Sequence, residues 1–422
     1  MRSQIKLRVI SIMTLIVLAA GAGHAGVISA TSYSRTDVQA AINKAATGDT
    51  VLVPRGSVTW SSPVSIPSSK SITLRGMGMW STIITLDPGG TAVSMNQSSS
   101  RVTGFQFANG TVQVSGNGWR VDHCRFFNRN QTRDGVYSIG EPLDDSPTGV
   151  VDHCDFVNAR VLSDGTASML TESDTQHSFW AQPLNLGTDN AVYVEDCTFL
   201  GTIFFNAMDA NYGGRYVFRY NTVTDLYIEA HSVQGNNRAA RSWEIYNNTI
   251  NQINRSVWVP MYIRGGTGVV FNNTITGTWG DPRIAINNIR SSETVSVSGL
   301  CDGTSPWDGN QPGQSGYPAR DQIGRSTDSW VWTAANPYPP QALDPAYFWN
   351  NRRGSAVILP FVAGAGLNQF HIQLNRDYYI DVPKPGYTPY TYPHPLIAEW
   401  DARSGVAPAQ PASNLRLKPS GP

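Results

Sequence analysis

The sequence predicts an all-β protein, a right-handed parallel β-helix with a short N-terminal capping helix. The main observation is a repeat with an apolar residue, Cys or Asn three places later, and a second apolar residue two further on. Its six copies are Val121-Cys124-Phe126, Val151-Cys154-Phe156, Val194-Cys197-Phe199, Phe218-Asn221-Val223, Ile245-Asn248-Ile250 and Val270-Asn273-Ile275. The last three steps are 24, 27 and 25 residues, a period typical of solenoids. Right-handedness follows from the strong preference of parallel crossovers.

The second observation is the kind of residue at the centre of each repeat. Equivalent side chains on successive turns of a parallel coil lie about 4.8 Å apart, so they form ladders. We therefore expect Cys124, Cys154 and Cys197 to stack inside the coil, and Asn221, Asn248 and Asn273 to continue the line. The interior position favours free thiols, and a disulfide between Cys124 and Cys154 on adjacent turns is the alternative. Cys301 lies apart, and no Cys/His spacing indicates a zinc site.

The third observation is a helix signal just before the first strands. Thr36 and Gln39 match a capping pattern, and Val38, Ala41, Ile42 and Ala45 share one face. A helix here would cover the open first turn of the coil and block pairing with another strand edge.

The chain begins with the features of a secretory signal peptide. A basic start precedes an apolar run over 9–20, and Gly23-His24-Ala25 offers a cleavage site. The run is shorter than the roughly 20 residues that a bilayer requires. We expect residues 1–25 to be removed, and the mature chain to be extracellular or periplasmic with no transmembrane segment.

We divide the remaining chain by composition and repeat spacing. The predicted parts are an N-terminal cap with first coils over 26–100, a central β-helix over 101–300, irregular C-terminal coils and loops over 301–403, and a disordered linker over 404–422. The step between Cys154 and Cys197 is 43 residues, so 159–190 is predicted to leave the coil as a loop. That loop carries Asp164, Glu172, Asp174, His177 and Trp180. Strands are expected to resume near 347–349 and 370–379.

The charge balance limits the possible partners. The formal net charge is +0 at pH 7, which gives no support for a nucleic-acid partner, and we expect a monomer. Lysine is absent between Lys70 and Lys384. A lysine base in the central coils is therefore excluded.

Two groups of residues carry a family resemblance. Residues 36–56, "TDVQAAINKAATGDTVLVPRG", and rungs such as "VFRYNTVTD" and "WEIYNNTI" resemble secreted parallel β-helix proteins of the pectate-lyase-like superfamily. The likeness extends over about residues 30–300 as architecture. It implies the fold, and an activity among lyases, hydrolases, epimerases and non-catalytic adhesins.

A candidate site follows from strand alternation in the central coils. If Ile228 and Ala230 point inward, then Tyr227, Glu229 and His231 point outward together. A constant offset of ten from the ladder places Ala207, His231, Trp258 and Arg283 in one stripe. From 231 to 290 there are six arginines and two acids, Glu244 and Asp281. The arginines are Arg238, Arg241, Arg255, Arg264, Arg283 and Arg290.

This combination suits a polymer of uronic acids, because arginine matches a carboxylate and aromatic rings pack on sugars. We predict a polysaccharide lyase acting by β-elimination, with His231, Glu229, Arg238 and Arg241 as catalytic residues. The predicted substrate-binding residues are Trp258, Tyr262, Arg264, Arg283, Tyr227 and Trp180. The repeated histidines His123 and His153 are assigned to the architecture.

The resemblance also implies that an arginine or lysine acts as base, often with calcium. Without a central lysine, we expect Arg238, Arg241, His231 or Tyr262 to move the protons. A Ca²⁺ ion would require several oxygen ligands, for which Asp209 and Asp225 are candidates.

Two alternatives remain open at this point. Asp144-Asp145 resembles the paired acids of β-helix polygalacturonases, although that family's Asn-x-Asp, Gly-His-Gly and Arg-Ile-Lys motifs are missing. A glycoside hydrolase is therefore ranked below a lyase. A glycan-binding or adhesin β-helix without catalytic residues is the other alternative.

Overall fold

In a computed structural model of the protein, short strands wind into a coil whose successive turns pair in parallel. The described residues are 25–96, 98–129, 131–140, 148–165, 180, 183–232, 238–287, 321–326, 342–363 and 371–403. Most turns contribute one strand to each of three sheets. The predicted fold class, a parallel β-helix with a short N-terminal capping helix, is confirmed.

The sheets are built from the following strands. The first sheet contains Val27–Ser29, Thr50–Leu52, Thr73–Arg75, Arg101–Thr103, Asn117–Asp122, Thr148–Asp152, Val192–Glu195, Arg215–Arg219, Ser242–Tyr246, Thr267–Phe271, Ala346–Trp349 and Tyr378–Ile380. The second sheet contains Gly56–Trp60, Arg125–Phe127, Asp155–Val157, Thr198–Leu200, Thr222–Thr224, Thr249–Gln252, Thr274–Gly277 and Arg352–Arg353, the last paired antiparallel with Ala356–Val357. The third sheet contains Val64–Ile66, Arg133–Ile139, Ala159–Asp164, Asn206–Asn211, Tyr227–Ala230, Met261–Ile263, Ile284–Ile286 and Pro360–Val362. The long strands Thr82–Met95 and Gln106–Val114 belong to both the second and the third sheets, and Arg325–Ser326 pairs with Ala342–Leu343 outside them.

The capping helix spans Arg35–Lys44 and begins slightly earlier than predicted. Its N-cap is Ser34, whose hydroxyl accepts a hydrogen bond from the Asp37 backbone N–H at 3.2 Å, so Thr36 is not the cap. Val38, Ala41 and Ile42 are buried against the first turns, as the pattern predicted. A C-terminal helix spans Pro395–Arg403.

The interior ladder is confirmed. Cys124, Cys154 and Cys197 are buried free thiols, and the Cys154 backbone N–H donates to Cys197 Sγ at 3.4 Å. The line passes to asparagine when Cys197 N–H donates to Asn221 Oδ1 at 2.9 Å. It then runs through Asn248 and Asn273 and ends beyond the predicted residues, at Asn351.

The ladder residues fix the vertical register of the coil. Asn248 Nδ2 donates to the Phe218 carbonyl at 2.8 Å and to Asn273 Oδ1 at 2.9 Å, which joins three turns. Beside this line, the rings of Phe126, Phe156 and Phe199 stack with centroids 4.9 and 4.5 Å apart. Polar ladder and aromatic stack together leave little freedom for a slip between turns.

The first sheet carries buried charges on its outward face, where the C-terminal segment 387–403 covers it. Arg120 donates to both Asp152 oxygens at 2.8 Å and to Asp401 at 2.7 Å. Further along, Arg219 pairs with Glu195 and donates to the Tyr390 carbonyl at 2.8 Å. These contacts of the segment are with the first sheet, on a different face of the coil from the third sheet.

One predicted boundary is wrong. Ala159–Asp164, assigned to the start of a projecting loop, is a strand of the third sheet paired with Asn206–Asn211. The rest of the long step includes 166–179, so Glu172, Asp174 and His177 lie outside the described residues. The same holds for the signal segment 1–24, for Asp144-Asp145, for Cys301 and for the tail 404–422. Within the described residues, no helix is long and apolar enough to cross a membrane.

Candidate functional site

The candidate site lies on the outward face of the third sheet, across three neighbouring turns. Met208, Ile228 and Met261 are paired in register and buried in the interior. The next residue along each strand therefore points outward, because side chains alternate along a strand. This places Asp209, Glu229 and Tyr262 beside one another.

Asp209 and His231 form the centre of the site. His231 Nδ1 lies 3.0 Å from each carboxylate oxygen of Asp209 and 3.8 Å from Glu229 Oε1. Asp209 is 1% exposed, and burial alone would raise its pKa; the neighbouring His231, Arg160 and Arg264 outweigh burial and lower it. An ionised carboxylate at Nδ1 fixes the orientation of the imidazole, which leaves Nε2 as the nitrogen for a substrate.

Two arginines hold the carboxylates in place. Arg160 bridges two acids, donating from Nε to Asp134 at 2.6 Å and from Nη1 to Asp209 at 2.9 Å. Arg264 donates from Nη2 to Glu229 Oε1. These pairs fix both site carboxylates in position.

Glu229 also receives two neutral donors. Asn206 Nδ2 donates to Glu229 Oε2 at 2.7 Å, and the Tyr227 hydroxyl donates to the same oxygen at 3.1 Å. Burial and the Glu229 charge raise the pKa of Tyr227. Tyr227 therefore keeps its proton at neutral pH and can act as a proton donor.

A pocket of about 230 Å³ opens next to this cluster. We call it the aromatic pocket; it is lined by Phe204, Tyr227, Glu229, Val257, Trp258, Val259, Tyr262 and Arg264. Phe204 and Tyr227 stack with ring centroids 5.3 Å apart, while Trp258 meets Tyr262 edge-on at 5.4 Å. Aromatic walls with charged groups at one end suit a sugar ring.

A second acidic group lies one turn away from Asp209. Asp164 Oδ2 accepts from the Tyr137 hydroxyl at 2.9 Å, and Oδ1 accepts from Asn211 Nδ2 at 3.1 Å. Burial raises the pKa of Asp164 from 3.8 to about 7, against the opposing effect of these two donors. At neutral pH the face thus carries an ionised Asp209 and a partly protonated Asp164.

This raised pKa predicts a pH dependence of stability. A carboxyl whose pKa rises from 3.8 to about 7 on folding adds stability that is complete below pH 3.8 and is lost as the pH rises through about 7. We expect the free energy of unfolding of wild type, minus that of Asp164→Asn, to fall between about pH 4 and about pH 8. Urea unfolding across this range measures the difference. A difference that rises with pH would contradict the assignment.

The structure brings together most of the residues predicted for substrate contact. Tyr227, Glu229 and His231 do point outward as a group, and Tyr262 and Arg264 lie beside them on the next turn. Trp258 is 47% exposed and lines the aromatic pocket. Arg283 lies farther along, paired with Asp281 at 2.7 Å and packed over Phe361.

Three predicted residues have another environment. Arg238 and Arg241 are buried, both over the ring of Trp180, and Arg238 Nε donates to Asp321 at 2.7 Å. Trp180 is itself 0% exposed. The expected roles of the two arginines on a uronate carboxylate, and of Trp180 in sugar stacking, do not fit these positions. The arginines pack between the coil and the side chains of Trp180 and Asp321.

The predicted stripe has the wrong register. A constant offset from the ladder requires equal connections between the second and third sheets, but these span 225–226, 253–260 and 278–283 in successive turns. On the neighbouring turn, the residue beside His231 is therefore Arg264 and not Trp258. The Arg264 backbone N–H donates to the Ala230 carbonyl. Ala207 is buried.

The proposed calcium ligands are separated. Asp225 lies in a turn, where its Oδ1 accepts the Ile253 backbone N–H at 2.7 Å. Asp209, Glu229 and His231 place their ligand atoms within 4.8 Å of one another, but arginines already bind both carboxylates. Ca²⁺ prefers six to eight oxygens, so this donor set fits it poorly.

Sequence reasoning missed several residues that build the site. Asn206, Arg160, Asp134 and Tyr137 were not selected because their partners are on other turns, 23 to 49 residues away. Asp164 was noted, but in a loop. A coil-by-coil alignment of the third sheet could have placed Asp164 and Asp209 on neighbouring turns.

Comparisons with known proteins show similar folds only at low identity. An alginate lyase from Paenibacillus sp. str. FPU-7 is 13% identical with a TM-score of 0.39, over 60% of this chain and 97% of that one. The ORF18 protein of Geobacillus virus E2 is 14% identical with a TM-score of 0.34, over 62% of this chain and 59% of its own. The catalytic domain of a GH87 alpha-1,3-glucanase is 10% identical with a TM-score of 0.29, over 87% and 69%. No family model and no curated protein matches the chain.

Proposed function

We propose that the protein is a secreted polysaccharide lyase that cleaves a uronic-acid-containing polymer by β-elimination. The observation that carries the proposal is the contact of His231 Nδ1 with both oxygens of buried Asp209, next to Arg264 and an aromatic pocket. This geometry supplies an oriented base, positive charge and a surface for a sugar in one place.

The reaction assigns one role to each group. His231 Nε2 takes the proton from the carbon that bears the carboxylate, and the electron pair of that C–H bond forms the new double bond. The bond to the leaving glycosidic oxygen breaks, and Tyr227 protonates that oxygen. Arg160 and Arg264 stabilise the negative charge that develops on the carboxylate side of the sugar.

The test is incubation with a panel of uronate polymers, followed by ultraviolet absorbance of the unsaturated product. We expect at least one polymer to yield this product and its carboxyl-reduced, neutral counterpart to yield none. Appearance of reducing ends without ultraviolet absorbance would replace the lyase by a hydrolase. Binding without any cleavage would leave a glycan-binding protein.

A hydrolase is the second candidate because of Asp164 and Asp209. A general acid with a raised pKa near an ionised carboxylate is the arrangement that glycoside hydrolysis requires. Asp164 has a pKa of about 7, and that of Asp209 is lowered. We rank it second because Tyr137 and Asn211 already bind the Asp164 carboxyl, whereas His231 presents a ring nitrogen outward.

A further inference from the structure

We infer that the aromatic pocket is the subsite for a single uronate ring, and that Arg264 Nε is the group that receives its carboxylate. The inference rests on the proposed function and adds the groups that recognise the substrate. Arg264 takes the role that the sequence suggested for Arg238 and Arg241, which is to bind the uronate carboxylate.

The Arg264 guanidinium lies at the wall of the aromatic pocket. The residue is 6% exposed and lines the aromatic pocket, and its Nη2 donates to Glu229. Its Nε is buried and has no hydrogen-bond partner within the part of the chain that the structure describes. A buried charged donor without an acceptor is unfavourable, so Arg264 Nε would be stabilised by an acceptor such as a water molecule or a ligand group in the pocket.

A carboxylate is the acceptor best suited to Arg264 Nε. A carboxylate matches the planar fork of a guanidinium, forming charge-assisted hydrogen bonds that a hydroxyl cannot equal. Glu229 already accepts one such charge-assisted hydrogen bond, from Nη2 of Arg264. A substrate carboxylate on Nε would make the same type of contact beside it.

The walls and the size of the aromatic pocket suit one sugar ring. Phe204 and Trp258 are 58% and 47% exposed, so they offer ring faces to a ligand. The volume of about 230 Å³ is below the roughly 300–1,000 Å³ of pockets for drug-sized ligands, which limits the occupant to about one sugar ring. The apolar C–H face of a pyranose can pack on these rings while its carboxylate reaches Arg264.

The proposed carboxylate site and the proposed base lie on the same face of the third sheet. Glu229 Oε1, the oxygen that accepts from Arg264, lies 3.8 Å from His231 Nδ1. A carboxylate fixed on Arg264 therefore brings the carbon next to it to the same outward face as the imidazole. The pocket would select the acid and position the proton that His231 removes.

The experiment measures binding separately from turnover. In a His231→Asn background, Trp fluorescence and calorimetry follow the binding of short oligomers of galacturonic, glucuronic, mannuronic and guluronic acid, and of their carboxyl-reduced counterparts. We expect Arg264→Gln to weaken binding of the acidic oligomer about 10- to 100-fold and that of the neutral one by less than about 2-fold. Trp258→Ala should weaken both by about 10-fold, since it removes only the stacking surface.

Two further variants keep the test decisive. Arg352→Gln removes an exposed arginine from the second sheet and should leave both affinities unchanged. The double variant Glu229→Gln with Arg264→Gln removes both charges of the buried pair. If Arg264→Gln alone does not fold, the double variant must still bind the acidic oligomer no more tightly than the neutral one. The subsite would be overturned if the His231→Asn protein bound acidic and neutral oligomers with equal affinity. It would also be overturned if a folded Arg264 variant bound the acidic oligomer with unchanged affinity.

The outcomes separate this inference from the proposed function. If unsaturated product forms but the affinity for the acidic oligomer does not depend on Arg264, the subsite is refuted and the proposed lyase activity stands. Arg264-dependent acid binding without any unsaturated product would keep the subsite and refute the lyase.

Discussion

Replacing His231 with asparagine is expected to lower turnover of the uronate polymer by about 10²- to 10⁴-fold, the usual contribution of a positioned general base. Asparagine can still donate a hydrogen bond to Asp209, so the fold should remain intact. The measurement is the initial rate of product absorbance under saturating polymer, with thermal unfolding as a check on folding.

The chain offers a matched control in His123. This histidine also places Nδ1 against a buried aspartate, at 2.7 Å from Asp122 Oδ2, but on the first sheet, where it stacks on His153. His123→Asn should keep the wild-type rate. An equal loss in both variants, or less than a tenfold loss in His231→Asn, would remove His231 from the chemistry.

Replacing Asn248 with leucine is expected to lower the free energy of unfolding by about 3 kcal/mol, because it leaves buried polar groups on adjacent turns without partners. The Asn221 backbone N–H loses an acceptor at 2.9 Å, and the Phe218 carbonyl loses a donor at 2.8 Å. Chemical denaturation measures the change.

A suitable comparison is Thr249, the next residue, whose side chain is exposed. Thr249→Val keeps the shape and the strand propensity, so its effect should stay within about 0.5 kcal/mol. If Asn248→Leu were as mild as this, the ladder would not be an important source of stability.

The coil was predictable because its determinants repeat along the chain. Asn248 and its equivalents occur at nearly equal steps, and each identifies the inside of its strand. Alternation then placed Glu229 and His231 outward correctly. Such local rules need no knowledge of the turns that join the strands.

The site was less predictable because it depends on those turns. Asp209 lies opposite Glu229 and close to His231 because the strand pairing shifts by one residue between Asn206 and Met208, and no spacing in the sequence indicates this shift. Arg238 seemed to be a substrate ligand on charge alone, whereas Asp321, 83 residues later, binds its side chain. Charge counting identifies a surplus of arginine, but it cannot tell that Arg238 is enclosed by an ion pair with Asp321 whereas Arg264 lines a pocket.

The most direct test of the central proposal is digestion of an acidic oligosaccharide in water labelled with heavy oxygen, followed by mass spectrometry of the products. β-Elimination requires the two product masses to sum to that of the substrate, with one unsaturated end and no label. Incorporation of one labelled oxygen, with saturated products, would contradict the lyase and make Asp164 and Asp209 the residues to examine in its place.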